Sequence, residues 1–479
     1  MFKSSRPRRT ALAPFGLNLY NTLSRKKEEF KPIIPDHAGL YTCGPTVYNY
    51  AHLGNLRAYI FEDVLKRVLL YNGYQVRHVM NITDVGHLTG DMDMGEDKME
   101  KKARADKKNI WEIAAFYTDA FKKDLQALNI IEPDVWLKAT ETITEQIALV
   151  KILEEKGFTY KTSDGIYFDT SRFPAYGRLS HLDLETLKEG ARVEKNQEKK
   201  HPTDFALWKF SPRGEKRQME WPSLWGIGFP GWHLECSVMS ALGLKEMRDI
   251  HCGGVDHINV HHTNEIAQYE AAYGRKFFNY WLHNEFLNIT GGKKMAKSAG
   301  NFLTLDNSLR QKNLPPLAYR FAALQTHYRK PMEYSEESLA NASQSFLHLR
   351  RQIREIKSTG PEGPDGGHAS GRNFQADFQR AINDDLNTPK ALAVAQEMLK
   401  SELPAAVKLA LWLDFDRVLG LGISGQEDEI SPAVQALARE REEARRKKDF
   451  GRSDELRRQL EDMGYKVADQ KDGQKIFKR

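Results

Sequence analysis

The sequence predicts an α/β protein built on a parallel sheet followed by a helical region, and three observations point there. Strand-like runs at residues 17–23, 39–43 and 75–82 flank a stretch in which Ala58, Phe61, Val64, Leu65 and Val68 recur every three or four positions, the spacing of one buried helical stripe. Strand, helix and strand in that order favour parallel pairing. Strand signal returns at residues 248–251, directly before Gly253-Gly254, and after about Thr304 the chain reads as helical almost throughout.

At 479 residues the chain has room for two to four domains. A composition of 40% hydrophobic and 28% charged residues excludes a disordered protein. No window approaches the roughly 18 uninterrupted apolar residues that a membrane span needs. The start MFKSSRPRRT lacks an apolar signal core. Its four basic residues leave an organelle address open, but strand-like sequence begins by Leu17 and the cytoplasm is expected. Three cysteines, Cys43, Cys236 and Cys252, cannot build a disulfide framework and become ligand candidates in a reducing compartment. The net charge of +6 is uneven: residues 1–10 and residues 439–479 contribute +4 each, so the chain between them sums to −2. A polyanion contact outside the active site is therefore expected near the C-terminus.

The remaining elements are read in order. Residues 110–155 are helical in pattern, and residues 158–184 turn β-like, suggesting a small insertion. Residues 358–372, STGPEGPDGGHASGR, read as a loop or linker. In DDLNTPKAL (residues 384–392), Asn387 or Thr388 suits a helix cap and Pro389 the first turn. Residues 439–458 read as one dense helix with nine Lys or Arg against six acids, and Gly464-Tyr465-Lys466-Val467 opens a β-like tail.

Two motifs carry phosphate chemistry. Cys43-Gly44-Pro45-Thr46-Val47-Tyr48 leads to His52-Leu53-Gly54-Asn55 at the start of the first long helix, where backbone donors and the positive dipole end meet an anion and an imidazole can hydrogen-bond it. Some 240 residues later, Gly291-Gly292-Lys293-Lys294-Met295-Ala296-Lys297-Ser298 places mobile point charges on a glycine-flanked loop, suited to a polyphosphate that changes shape.

HLGN resembles the HIGH signature and KMAKS (residues 294–298) the KMSKS signature of class I aminoacyl-tRNA synthetases. CGPTVYNYAHLGN, MNITDVGH, DFALWK, GFPGWHLECSVMSA, DIHCGGVDH, HHTNE and DDLNTPKAL together resemble the cysteinyl-tRNA synthetase family, from about Leu17 onward. The resemblance implies a Rossmann-like catalytic domain at residues 17–140 and 201–293, after a basic tail at 1–16. A connective insertion would occupy 141–200, the KMSKS loop and stem-contact region 294–335, a tRNA-binding helical bundle 336–425, and a small anticodon-binding domain 426–479. One departure is Ile476-Phe477, where the family often carries Trp.

Cys43, Cys236, His261 and Glu265 supply two thiolates, an imidazole and a carboxylate, a set suited to one Zn2+. His261 and Glu265 are four apart, on one helical face. His262 and the more distant His257 are rivals for the imidazole role, and the resemblance favours His261. A cysteine thiolate can bind such a metal where serine's harder hydroxyl cannot, and discrimination of order 10⁴–10⁵ by a bond competitors lack removes the need for editing. The small insertion agrees with that.

The resemblance further implies roles. Thr46, Thr83, Trp232 and His233 would hold the L-cysteine substrate, Trp232 being equally readable as a core anchor. Gly254 and Asp256 would bind the adenosine, Gly54 would line the ATP site, and His52 and Asn55 would stabilise the α-phosphate of ATP. Lys294 and Lys297 would hold the departing pyrophosphate, with Mg2+ neutralising the rest. Cys252 falls where the family commonly has glycine and reads as structural. The expected product is cysteinyl-tRNA(Cys), made by a monomer. Two rivals are a cysteine:aminosugar ligase of mycothiol synthesis, which lacks an anticodon domain, and a non-catalytic RNA-binding paralogue, which would be expected to lose a lysine of KMAKS or a metal ligand.

Overall fold

The structure, a computed structural model, describes residues 16–86, 88–90, 94–106, 108–181, 197–212, 217–289, 302–358, 368–423, 432–470 and 473–478. Lys294 and Lys297 lie outside the described residues.

A five-stranded parallel sheet organises the first part of the chain, in the order Tyr280–Asn284, Ile250–Gly254, His37–Thr42, Gln75–Ile82, Val135–Lys138. Alternation along the strands splits the core in two. Leu40, Met80, Ile250 and Cys252 pack with the helix Leu53–Tyr71 on one face. Tyr41, Val79 and Trp281 pack with Cys236, Met239, Ile266 and Tyr269 of the helices Trp232–Leu244 and His261–Tyr273 on the other. Gly243 lets the first of these helices lie close, since a Cβ there would sit 2.6 Å from a Val79 methyl. From the central His37–Thr42 strand the order runs one way to Gln75–Ile82 and the other way to Ile250–Gly254. This reversal leaves a crevice beyond the strand C-termini, where open α/β sheets bind ligands.

Three sequence expectations are corrected. Residues 110–155 form two helices, Ile110–Ala127 and Ile143–Glu155, separated by the edge strand Val135–Lys138. Four residues between two helices are too few to show a period of two. The helix His368–Asn383 starts inside the stretch read as a loop. Residues 439–458 are two helices rather than one, Pro432–Arg446 and Phe450–Asp462, because Lys448 adopts φ 58° and Asp449 caps the second by accepting from the Arg452 N–H.

The strands Thr159–Lys161 and Gly165–Phe168 join Phe205–Phe210 and Gly228–Pro230 in a four-stranded antiparallel sheet. Leu287–Ile289 pairs in parallel with Met332–Tyr334. In the helical region Asn387 caps Thr388–Lys400, accepting from the Lys390 N–H at 3.2 Å. Just before it, the buried Asp385 carboxylate accepts from the Tyr20 N–H, the Tyr328 hydroxyl and Arg329 Nε, joining the helices to the preceding part of the chain. The C-terminal helices carry a hairpin of Tyr465–Gln470 and Gly473–Lys478, closed on a core of Val434, Leu460, Tyr465 and Val467. Among the described residues no helix is long and apolar enough to cross a membrane.

Candidate active site and metal centre

Three elements deliver the metal-ligand candidates. Cys43 follows the central strand, Cys236 lies in the first turns of Trp232–Leu244, and His261 and Glu265 occupy adjacent turns of His261–Tyr273. One ligand atom from each of the four falls within 4.8 Å of all the others, and all four residues are buried. Gly44 makes the turn after Cys43 feasible, since a Cβ there would lie 1.7 Å from the Asn81 carbonyl oxygen. Its N–H instead donates to Asn81 Oδ1 at 2.8 Å.

A second grouping, Cys43, His251, His262 and Glu265, meets the same distance criterion, so the two adjacent histidines both reach the cluster. Their second nitrogens distinguish them. His261 Nδ1 is 2.9 Å from His233 Nδ1, which leaves Nε2 facing Glu265. His262 Nδ1 is 2.8 Å from His283 Nε2, and His283 Nδ1 is 2.8 Å from Thr22 Oγ1, so a buried relay holds His262 with Nε2 3.5 Å from Cys43 Sγ. His251 Nε2 lies 2.7 Å from Glu265 Oε2. Partners that orient ligands in this way are characteristic of metal sites. Neither His251 nor His283 is singled out by sequence spacing, because both reach the cluster across paired strands. The one local sign is strand alternation, which puts His251 and Gly253 on the cluster's face.

The electrostatics describe a charged nest held away from water. Burial opposes protonation of His261, yet Glu265 and Cys236 outweigh it and push the imidazole up to about 10. Burial likewise raises Glu265, but His251 and His261 overcome this and hold it down at about 2. Burial and the Cys236 thiol beside it push Cys43 up, whereas Cys236, hydrogen-bonded by Cys43 and by His261, is drawn below the ordinary thiol range. His262 is driven well below the usual histidine range by burial and the surrounding imidazoles. The donor set fits a soft divalent cation. One further detail agrees: Glu265 Oε1 is buried 2.9 Å from His261 Nε2, yet no donor is aligned on it. A cation between these atoms would satisfy both.

The crevice wall holds the other candidates. Thr46 and Thr83 form an isolated bridge, with the Thr83 N–H donating to the Pro45 carbonyl and the Val47 N–H to the Thr83 carbonyl. The Thr83 hydroxyl accepts from Asn81 Nδ2 at 3.0 Å. Trp232 is half-buried with its ring 4.3 Å from that of His261, so it covers the cluster besides packing against it. Gly253 gives the histidines room, because a Cβ would lie 2.6 Å from His257 Nδ1; Asp256 is exposed, with Gly254 beside it at the crevice edge.

His52 and Asn55 build a capping box on the helix Leu53–Tyr71. The Asn55 N–H donates to His52 Nδ1 at 3.0 Å, and the His52 N–H donates to Asn55 Oδ1 at 3.2 Å. Acceptance at Nδ1 puts the proton of the neutral ring on Nε2, and burial, the largest influence on this ring, keeps it neutral by lowering its pKa. His52 forms a bridge with Thr304, and the Leu53 N–H donates to the Leu303 carbonyl at 2.8 Å. Leu303 and Thr304, which follow the KMAKS motif in the sequence, therefore lie directly beside HLGN.

Two family models match the chain: the tRNA synthetases class I (C) catalytic domain over residues 29–344, and the cysteinyl-tRNA ligase anticodon binding domain over residues 427–476. The chain is 49% identical over 464 residues to cysteine–tRNA ligase 1 of Burkholderia lata, covering 96% of this chain and 97% of the relative. It is 43% identical over 484 residues to the cysteine–tRNA ligase of Treponema denticola, covering 95% and 98%. Among solved structures it resembles a Mycobacterium tuberculosis methionyl-tRNA synthetase in complex with methionyl-adenylate, with TM-score 0.55, 14% identity and coverage of 80% of this chain and 88% of that one. It also resembles an Agrobacterium radiobacter LeuRS in a ternary complex with tRNA, with TM-score 0.58, 11% identity and coverage of 83% and 85%. At such identities the structural likeness concerns the fold alone.

Proposed function

The chain belongs to the cysteine–tRNA ligase family and is an ATP-using enzyme of that activity, and from this premise we propose that it selects cysteine through Zn2+ held by Cys43, Cys236, His261 and Glu265. The observation that carries this reading is the convergence of those four buried donors within 4.8 Å, in the crevice that HLGN borders. When bound, the cation supplies a coordination position for a substrate thiolate, which serine's hydroxyl fills poorly and alanine cannot fill.

The chain's own groups then orient the reactants. Thr46 and Thr83 hold the backbone of the amino acid, and Trp232 and His233 close over it. Gly254 and Asp256 receive the adenosine, the latter accepting from ribose hydroxyls, while Gly54 leaves room for ATP at the helix start. The cysteine carboxylate attacks the α-phosphate in line and pyrophosphate departs. His52 Nε2–H and the NH2 of Asn55 donate to the α-phosphate oxygens where charge develops, at a helix N-terminus whose dipole has the same sign of effect. Lys294 and Lys297 follow the leaving pyrophosphate, with Mg2+ offsetting its charge. The 3′-terminal adenosine of tRNA(Cys) then attacks the cysteinyl-adenylate, yielding cysteinyl-tRNA and AMP.

In this reading the enzyme works as a monomer in the cytoplasm, a compartment that keeps all three cysteines as thiols. Pyrophosphate exchange with each amino acid, then charging of total tRNA, tests the reading. Exchange restricted to cysteine, lost on chelation and restored by zinc, is expected. Exchange that survives complete removal of metal with serine still rejected would contradict it, and exchange without charging would favour the aminosugar ligase.

A further inference from the structure

The rim beside HLGN carries an aromatic feature that no step above uses. Tyr50, two residues before His52, is 44% exposed, and Phe116 on the helix Ile110–Ala127 is 46% exposed. The two rings meet edge-to-face at 6.0 Å, and each also meets the buried Tyr117 at 5.1 Å. Lys108 Nζ stands 5.2 Å from the Phe116 centroid. The trio is firmly seated: Tyr117 and Phe121 belong to the core shared with the helix Leu53–Tyr71, where Phe121 contacts Tyr59 at 4.8 Å. Scattered exposed apolar residues need no explanation, but linked rings fixed to the phosphate-binding helix and topped by a cation form a ledge.

Of the three substrates, only one has aromatic faces left to place. The amino acid goes to the buried cluster, and the adenosine of ATP goes to Gly254, the last residue of another strand of the sheet, and to Asp256 just beyond it. Single-stranded nucleic acid binds by stacking bases on partly open aromatic rings while a neighbouring cation meets its phosphates. We propose that Tyr50 and Phe116, with Lys108, form a stacking ledge for the unpaired 3′ end of tRNA as it approaches the adenylate. The ledge guides the end and does not touch the reacting atoms, so Tyr50 and Phe116 are positioning residues. This rests on the adenosine placement given above.

The test compares Phe116→Ala and Tyr50→Ala with the unchanged enzyme in charging, in pyrophosphate exchange, and in binding of tRNA(Cys) with and without its unpaired 3′ nucleotides. Each variant is expected to raise KM for tRNA about tenfold, the scale of one lost base–aromatic stack, with KM for ATP and exchange rates unchanged. Shortened tRNA is expected to bind variants and unchanged enzyme alike, and Phe116→Tyr is expected to restore charging. Equal weakening with shortened tRNA, or an unchanged KM for tRNA, overturns the ledge. A raised KM for ATP instead overturns the adenosine placement. Should Phe116→Ala lose exchange through misfolding, the exposed Tyr50→Ala decides alone.

Discussion

The buried cysteine–histidine cluster and the C-terminal unit both draw carboxylates and cations together, and the surrounding water makes them different devices. Glu265 is fully buried among His251, His261 and two thiols. Asp469 is the C-terminal counterpart: it receives Arg441 Nη1 at 2.9 Å and Arg457 Nη2 at 2.7 Å, and also meets Arg445, but its side chain keeps 32% of its surface in solvent. A buried charge without a full complement of partners costs several kcal/mol, whereas an exposed pair contributes about 0–1 kcal/mol. The first arrangement therefore demands a specific occupant, and the second tunes a fold that two helices and a hairpin already define.

Substitutions graded by burial sharpen this contrast. The largest effect belongs to Cys236→Ser, which removes a soft donor: zinc content and cysteine activation are expected to fall together, activation by about 10³-fold or more, since the discrimination at stake is of order 10⁴. Elemental analysis and exchange kinetics on one preparation check it. Next is His52→Ala, on the half-buried rim. Loss of one donor aimed at developing charge lowers the rate of adenylate formation by about 10²–10³-fold, with zinc content unaltered. His251→Gln should weaken zinc affinity by about 10–100-fold, the usual consequence of removing an orienting partner. Competition with a chelator measures it.

The smallest effect falls on the surface network. Asp469→Asn should lower stability of the C-terminal unit by less than about 1 kcal/mol, leaving cysteine exchange unchanged. The Arg441 hydrogen bond is the largest influence on this carboxyl and holds its pKa down at about 2. A carboxyl depressed in the folded state stabilises above its unfolded pKa of roughly 3.9 and loses that contribution as pH falls through about 2. Stability followed by unfolding between pH 5 and 2 should therefore decline slightly less in Asp469→Asn than in the unchanged chain, since other depressed carboxyls, such as Glu265, still contribute in both.

The same division by burial explains how much the sequence disclosed. Strongly patterned elements were legible: the strand Gln75–Ile82 has the expected bounds, and the segment Ala58 to Val68 lies within the helix Leu53–Tyr71, although that helix is buried on nearly every face rather than along one stripe. The four ligand candidates do meet, but they lie far apart in the sequence, His262 reaches the same cluster, and the preference for His261 comes from the family resemblance. What escaped depends on distant contacts or single backbone angles. Val135–Lys138 becomes a strand by pairing with Gln75–Ile82, more than fifty residues away. The break at Lys448 is one left-handed residue in a segment whose composition favours helix throughout. The chain from Thr22 through His283 to His262 joins three elements that no local spacing connects.

X-ray absorption of zinc in the purified enzyme, before and after saturation with L-cysteine, tests the central claim most directly. Two sulfur neighbours, from Cys43 and Cys236, should become three with cysteine and stay two with serine. A protein that binds no zinc, or a sulfur count indifferent to cysteine, would contradict it.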